Sequence, residues 1–144
     1  MTDDDVRLFI YRWFASHGSA PTVAETAAEL SAPAADIVPA FERLEQGHVI
    51  VLSPGTSNIW MANPFCAVPT AFRVTTDAGS WWGTCAWDAL GIPAMLGTDG
   101  VVRTSCQDCG EAMEWHVSGG SLDADGVAHF AVPARDWWEN IGYT

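Results

Sequence analysis

Residues 80–97 read Ser80-Trp81-Trp82-Gly83-Thr84-Cys85-Ala86-Trp87-Asp88-Ala89-Leu90-Gly91-Ile92-Pro93-Ala94-Met95-Leu96-Gly97. Thr84 to Leu90 has the pattern of a short helix, which Pro93 limits because proline removes a backbone donor and crowds the preceding turn. On such a helix the three-residue spacing of Cys85 and Asp88 puts a thiol and a carboxylate on one face. A thiolate is a soft nucleophile and metal ligand, and a neighbouring carboxylate can take the thiol proton and return it to a leaving group. Taken alone, Cys-x-x-Asp is a weak signal, since such a cysteine is commonly a buried small side chain and such an aspartate a helix cap. The flanks therefore decide its meaning.

Upstream, Val6, Phe9, Ile10, Trp13 and Phe14 mark one buried face of a first helix, which Gly18 and Pro21 end. Thr22-Val23-Ala24-Glu25 fits a capping box opening a brief second helix that closes at Ala32-Pro33. A third runs from about Ala34 to Gln46, with Ile37, Phe41 and Leu44 inward and Gly47 as its stop. Val49 to Leu52 and Ile59 to Ala62 then flank a Pro54–Asn58 turn as a strand pair. Three helices and a hairpin make a winged helix-turn-helix-like lobe, assigned to residues 1–68. Beyond Pro69 helical periodicity fades, and residues 69–144 form a second lobe with a small mixed or antiparallel sheet. Its expected strands are Phe72–Val74, Val101–Thr104, and Met113–Val117 paired with Val127–Val132 around a long polar turn. Ala134 to Asn140 is expected as a final helix. The fold class is α+β.

Six Arg, no Lys and eighteen acidic residues give a net charge of -12. Such a surface repels nucleic acid and anionic membrane faces, and Asp36, Glu42 and Glu45 give the third helix the wrong sign for groove docking. A transcriptional regulator is disfavoured on that ground. The start, Met1-Thr2-Asp3-Asp4-Asp5, is acidic where a secretory signal is basic, and no apolar run approaches the roughly 20 residues a membrane helix needs. A cytoplasmic protein is expected, whose four cysteines (Cys66, Cys85, Cys106, Cys109) serve as thiols rather than as a disulfide framework.

Cys106-Gln107-Asp108-Cys109-Gly110 is a Cys-x-x-Cys knuckle, half of a zinc site or a redox pair. Structural zinc takes four ligands, so His116, Cys85 or Cys66 would have to complete it. A metal-free thiol turn is the simpler reading. Cys66, between Phe65 and Ala67, reads as a core residue without a role. The eight tryptophans fit either an apolar pocket around an organic group or ordinary core packing.

The segment from Ser80 to Gly97, including Ile92-Pro93-Ala94 and the closing glycine, resembles the active-site segment of the alkylmercury (organomercurial) lyase family. The resemblance continues through Val101-Val102-Arg103-Thr104-Ser105-Cys106 to Gly110 and takes in the helical lobe. It implies a mercury-resistance activity: cleavage of the carbon–mercury bond of a small organomercurial, with small thiols as partners and Hg²⁺ passed to a mercuric reductase. No resident cofactor is required, mercury being substrate and product, and soft thiolates suit so soft a metal. By position Cys85 resembles the cysteine that attacks mercury, Asp88 the aspartate that carries the proton to the departing carbon, and Cys106 a further structural or accessory cysteine. Cys106 and Cys109 are candidate additional mercury ligands.

The family's second catalytic cysteine is expected beyond Thr144. A truncated chain, a UGA codon that encodes selenocysteine, and loss of lyase chemistry are three explanations. The rival reading is a non-catalytic thiol protein that binds a soft metal.

Overall fold

Thr2 opens the chain's first helix by a reciprocal bond: its side-chain oxygen accepts from the Asp5 N–H at 3.2 Å while the Asp5 carboxylate accepts from the Thr2 N–H at 2.6 Å. In the computed structural model, which describes residues 1–142, this helix is α1, Asp3–His17. The Thr22–Glu25 capping box starts α2, Val23–Glu29, and α3 spans Ala34–Gln46. Helices α1 and α3 bury Val6, Ile10, Phe14, Ile37, Phe41 and Leu44 on the stripes that the helical period predicts, while the buried residue of α2 is Thr26. Among the described residues no helix is long and apolar enough to cross a membrane.

Among the described residues eight strands join one antiparallel sheet: β1 (Val51–Leu52), β2 (Ile59–Ala62), β3 (Phe65–Cys66), β4 (Phe72–Thr76), β5 (Gly79–Gly83), β6 (Gly100–Ser105), β7 (Ala112–Ser118) and β8 (Ser121–Asp123). Their spatial order is β1-β2-β3-β5-β4-β6-β7-β8. The hairpin after α3 is thus not a free wing, since β3 joins it to β5 through Phe65 opposite Gly83 and Cys66 opposite Trp82. Neither β3 nor β5 is predicted from the sequence, because two residues are too few to show a period and Gly79-Ser80-Trp81-Trp82-Gly83 does not alternate in hydropathy. The sheet continues across the Pro69 region, and one apolar core holds Phe14 and Phe41 together with Phe65, Val74, Trp81, Ile92 and Val102. The Trp81 ring N–H donates to the Phe14 carbonyl at 2.7 Å, so the buried indole keeps its partner.

Three local expectations are corrected. The partner of β7 is Ser121–Asp123, not Val127–Val132. Gly119 (φ 56°) and Gly120 (φ 76°) both take the left-handed backbone of a two-residue hairpin turn, and that closes the loop far sooner. The helix after Cys85, α4, covers Ala86–Leu96 and passes through Pro93. Its last turn survives the missing donor because Ile92 and Pro93 are buried, and an added Cβ on Gly100 would lie 2.9 Å from the Pro93 ring, so β6 hugs the proline. The final helix is a 3-10 segment, Ala134–Glu139.

Candidate functional site

Gly83 ends β5 and Cys85 is the cap residue just before α4, so the strand must turn into the helix within two residues. Only glycine permits the approach, because a Cβ at residue 83 would lie 2.8 Å from both the backbone N and the Cα of Ala89. The Thr70 hydroxyl fixes the turn by donating to the Gly83 carbonyl at 2.6 Å. Cys85 is the residue that precedes α4, and Asp88 lies in the first helical turn. The Cys85 thiol donates to Asp88 Oδ2 at 3.6 Å, and the Thr84 hydroxyl donates to the same oxygen. Thiol, carboxylate and hydroxyl therefore converge on one atom.

Burial raises the Cys85 pKa, and the adjacent Asp88 charge raises it further. The N–H groups of Asp88 and Trp87, at the open end of α4, work the other way, without closing a capping bond to the sulfur. Burial also raises the Asp88 pKa, against the bonds from Thr84 and Cys85 that favour its ionised form. A carboxylate whose pKa is raised is a stronger acceptor for a neighbouring thiol proton, and it can return that proton to a leaving group.

Cys85 and Asp88 open into a cavity of about 220 Å³ whose apolar wall includes Trp60, Met61, Phe130 and Trp137. This is below the roughly 300 Å³ at which sites for drug-sized ligands begin, so the space suits a small organic group. One side is closed by the last described stretch. Trp137 stacks at a tilt on Phe130 with centroids 5.3 Å apart, its ring N–H donates to the Val132 carbonyl at 2.8 Å, and Gly142 lies so close to Trp60 that a Cβ there would meet the ring at 2.6 Å. The tryptophans divide between the two expected roles. Trp60 and Trp137 line the cavity, Trp81 is core, and Trp87 is 70% exposed on α4.

The structure brings Cys85 and Asp88 together but sets Cys106 and Cys109 elsewhere. These two occupy the β6–β7 turn, where the Gly110 N–H donates to the Cys106 carbonyl at 2.9 Å, and neither lines the cavity. The N–H groups of Cys109 and Asp108 lower the Cys106 pKa, with help from the Cys109 thiol. His116 is on β7, 3.1 Å from Glu114. Among the described residues no three His, Cys, Asp or Glu side chains are gathered closely enough to hold a metal ion. Sequence reasoning passed over Thr70, Thr84 and Cys66, all of which line the cavity. Cys66 does so only because its strand pairs with β5, a register no local pattern announces.

A family model described as MerB, alkylmercury lyase, matches residues 65–144, more than half of the chain. No curated protein matches the sequence. A solved structure described as "Crystal structure of the mercury-bound form of MerB2" superposes with a TM-score of 0.65 at 19% identity, over 83% of this chain and 59% of that one. At that identity the likeness is one of fold, and this chain spans less than two thirds of the other's length.

Proposed function

Since the chain belongs to the alkylmercury lyase family, we propose that it cleaves the carbon–mercury bond of a small organomercurial by protonolysis. The observation that carries this reading is the 3.6 Å contact between the Cys85 thiol and the Asp88 carboxylate at the wall of an apolar cavity. The substrate arrives as the adduct of a small thiol. Cys85 forms a sulfur–mercury bond as its proton passes to Asp88. Asp88 then gives that proton to the mercury-bound carbon as the carbon–mercury bond breaks and its electron pair leaves with the carbon. The products are a hydrocarbon and Hg²⁺ shared between Cys85 and the small thiolate, mercury remaining divalent throughout.

The site supplies what each step asks for. Thiolates are favoured ligands of so soft an ion, burial makes the Asp88 carboxylate a stronger acceptor for the Cys85 proton, and the aromatic wall excludes competing water from around the organic group. Purified protein incubated with phenylmercury and excess small thiol is expected to release benzene, measured by gas chromatography of the headspace. Cys85→Ser and Asp88→Ala each abolish release. Tight mercury binding by the parent protein with no benzene at any thiol concentration leaves only a thiol protein that binds soft metal, and removes the lyase reading.

A further inference from the structure

We propose that the turn between β6 and β7 is a mercuric-ion site in its own right, an exposed chelate of Cys106 and Cys109 that captures Hg²⁺ once it has left Cys85. The capture role rests on the lyase reading for the origin of the ion; the geometry of the site does not. The sequence leaves open whether these two cysteines join Cys85 or His116 around one metal, and the structure separates them. Neither cysteine lines the Cys85 cavity. His116 stands opposite Val101 in the β6–β7 ladder, so it lies roughly 17 Å along the strand from Cys106 at ~3.4 Å per residue.

The turn is held by its own backbone. Ser105 opposite Ala112 ends the ladder, the Cys106 N–H donates to the Glu111 carbonyl at 2.8 Å, and the Gly110 N–H donates back to the Cys106 carbonyl at 2.9 Å. Gly110 takes the left-handed backbone (φ 75°) that returns the chain to β7. Inside this frame the N–H groups of Asp108 and Cys109 hydrogen-bond to the Cys106 sulfur, and the Cys109 thiol donates to it as well. The two sulfurs are thus already gathered on one side of the turn, and little ordering remains to be supplied on binding. Cys109 is exposed and Cys106 partly so, within reach of an ion carried by small thiols.

Two sulfurs without a third partner select the ion. Structural zinc takes four ligands, and among the described residues no three His, Cys, Asp or Glu side chains are gathered closely enough to hold a metal. Mercury is satisfied by two thiolates, the soft ligands it favours. The step is a double thiol exchange. A small thiol first releases Hg²⁺ from Cys85 as a mercury bis-thiolate, its proton passing to the Cys85 sulfur. At the turn both bonds from mercury to the small thiolates break as bonds to Cys106 and Cys109 form, and the two cysteine protons leave on the departing thiolates. No electron changes hands. The second of the new bonds closes within one molecule, an advantage that separate monothiols lack.

The test loads the unaltered chain with one equivalent of HgCl₂ carried by 2-mercaptoethanol, removes excess thiol on a desalting column, and labels with iodoacetamide before peptide mapping. Label is expected at Cys85 and none at Cys106 or Cys109. Cys106 and Cys109 labelled as in the mercury-free protein overturn the site. Gel filtration should give the loaded and mercury-free proteins the same elution volume; a mercury-dependent dimer means one sulfur per chain and overturns the chelate. In a Cys85→Ser background, a further Cys109→Ser substitution should lower retention of Hg²⁺ against 2-mercaptoethanol by roughly 100-fold, the low end of what a tethered second contact adds. Unchanged retention overturns the proposal too. Should the Cys85→Ser background fail to fold, the labelling pattern of the unaltered chain decides alone. Protected Cys106 and Cys109 in a protein that releases no benzene sustain the turn site while removing the lyase reading, and benzene release with both cysteines labelled does the reverse.

Discussion

Replacing Gly83 by alanine probes the join that aims the reactive pair. The added Cβ would stand 2.8 Å from Ala89 N and Cα, about 0.6 Å short of the 3.4 Å at which ordinary contact begins. The atoms it meets are backbone, and they cannot rotate aside. Either β5 or the start of α4 must move by that amount, carrying Cys85 and Asp88 with it. Overpacking of this kind costs about 1–3 kcal/mol, and at ~2–4 °C per kcal/mol for a chain of this size the melting temperature should fall by about 2–12 °C. A misplacement of ~1 Å can cost 10²-fold in rate, so benzene release should drop roughly tenfold. Gly91→Ala is the control on the same helix. Its Cβ would meet the Pro64 ring at 3.6 Å, in ordinary contact, and a glycine removed from a helix interior should raise stability by up to ~1 kcal/mol. Differential scanning calorimetry with parallel headspace assays reads both variants. A Gly83→Ala protein that melts within a degree of the parent and keeps its activity would refute the close-approach argument.

Asp88→Asn should stabilise the protein while abolishing release. The folded pKa of Asp88 lies above its ordinary 3.8, so as pH rises past that value the unfolded chain ionises first and the parent loses stability until the folded group ionises too. The variant escapes this loss, and melts across pH should show its advantage absent below about 3.8 and growing as pH rises above it; an equal or lower melting temperature at pH 7 counts against a buried carboxylate. The same substitution should shift the pH profile of Cys85 alkylation by iodoacetamide downward, in a Cys106→Ser/Cys109→Ser background, because Asp88 raises the Cys85 pKa; no shift would separate the two groups. Cys106 in the unaltered protein should alkylate at a lower pH than an ordinary thiol, peptide mapping giving the order of labelling. Phe65→Ala, at a fully buried ring stacked on Phe14 with centroids 5.4 Å apart, should cost ~3–5 kcal/mol, visible as a melting temperature lowered by about 6 °C or more.

The chain's own chemistry determined what depends on near neighbours in sequence. The capping box that opens α2, the Gly47 stop of α3, the apolar stripes of α1 and α3, and the pairing of Cys85 with Asp88 rest on contacts three or four residues apart, which the helical period makes readable. Tertiary structure alone decided the rest. Helix α4 outlasts Pro93 because burial against β6 outweighs one missing donor, and β8 follows two left-handed glycines rather than the apolar run at Val127–Val132. The clearest case is Cys66, whose neighbours Phe65 and Ala67 mark it as core. It meets the cavity of Cys85 only through a strand register spanning some sixteen residues, from Cys66 to Trp82. A register is fixed by the whole sheet's competition for hydrogen bonds and buried surface, so no window of sequence around either cysteine contains it.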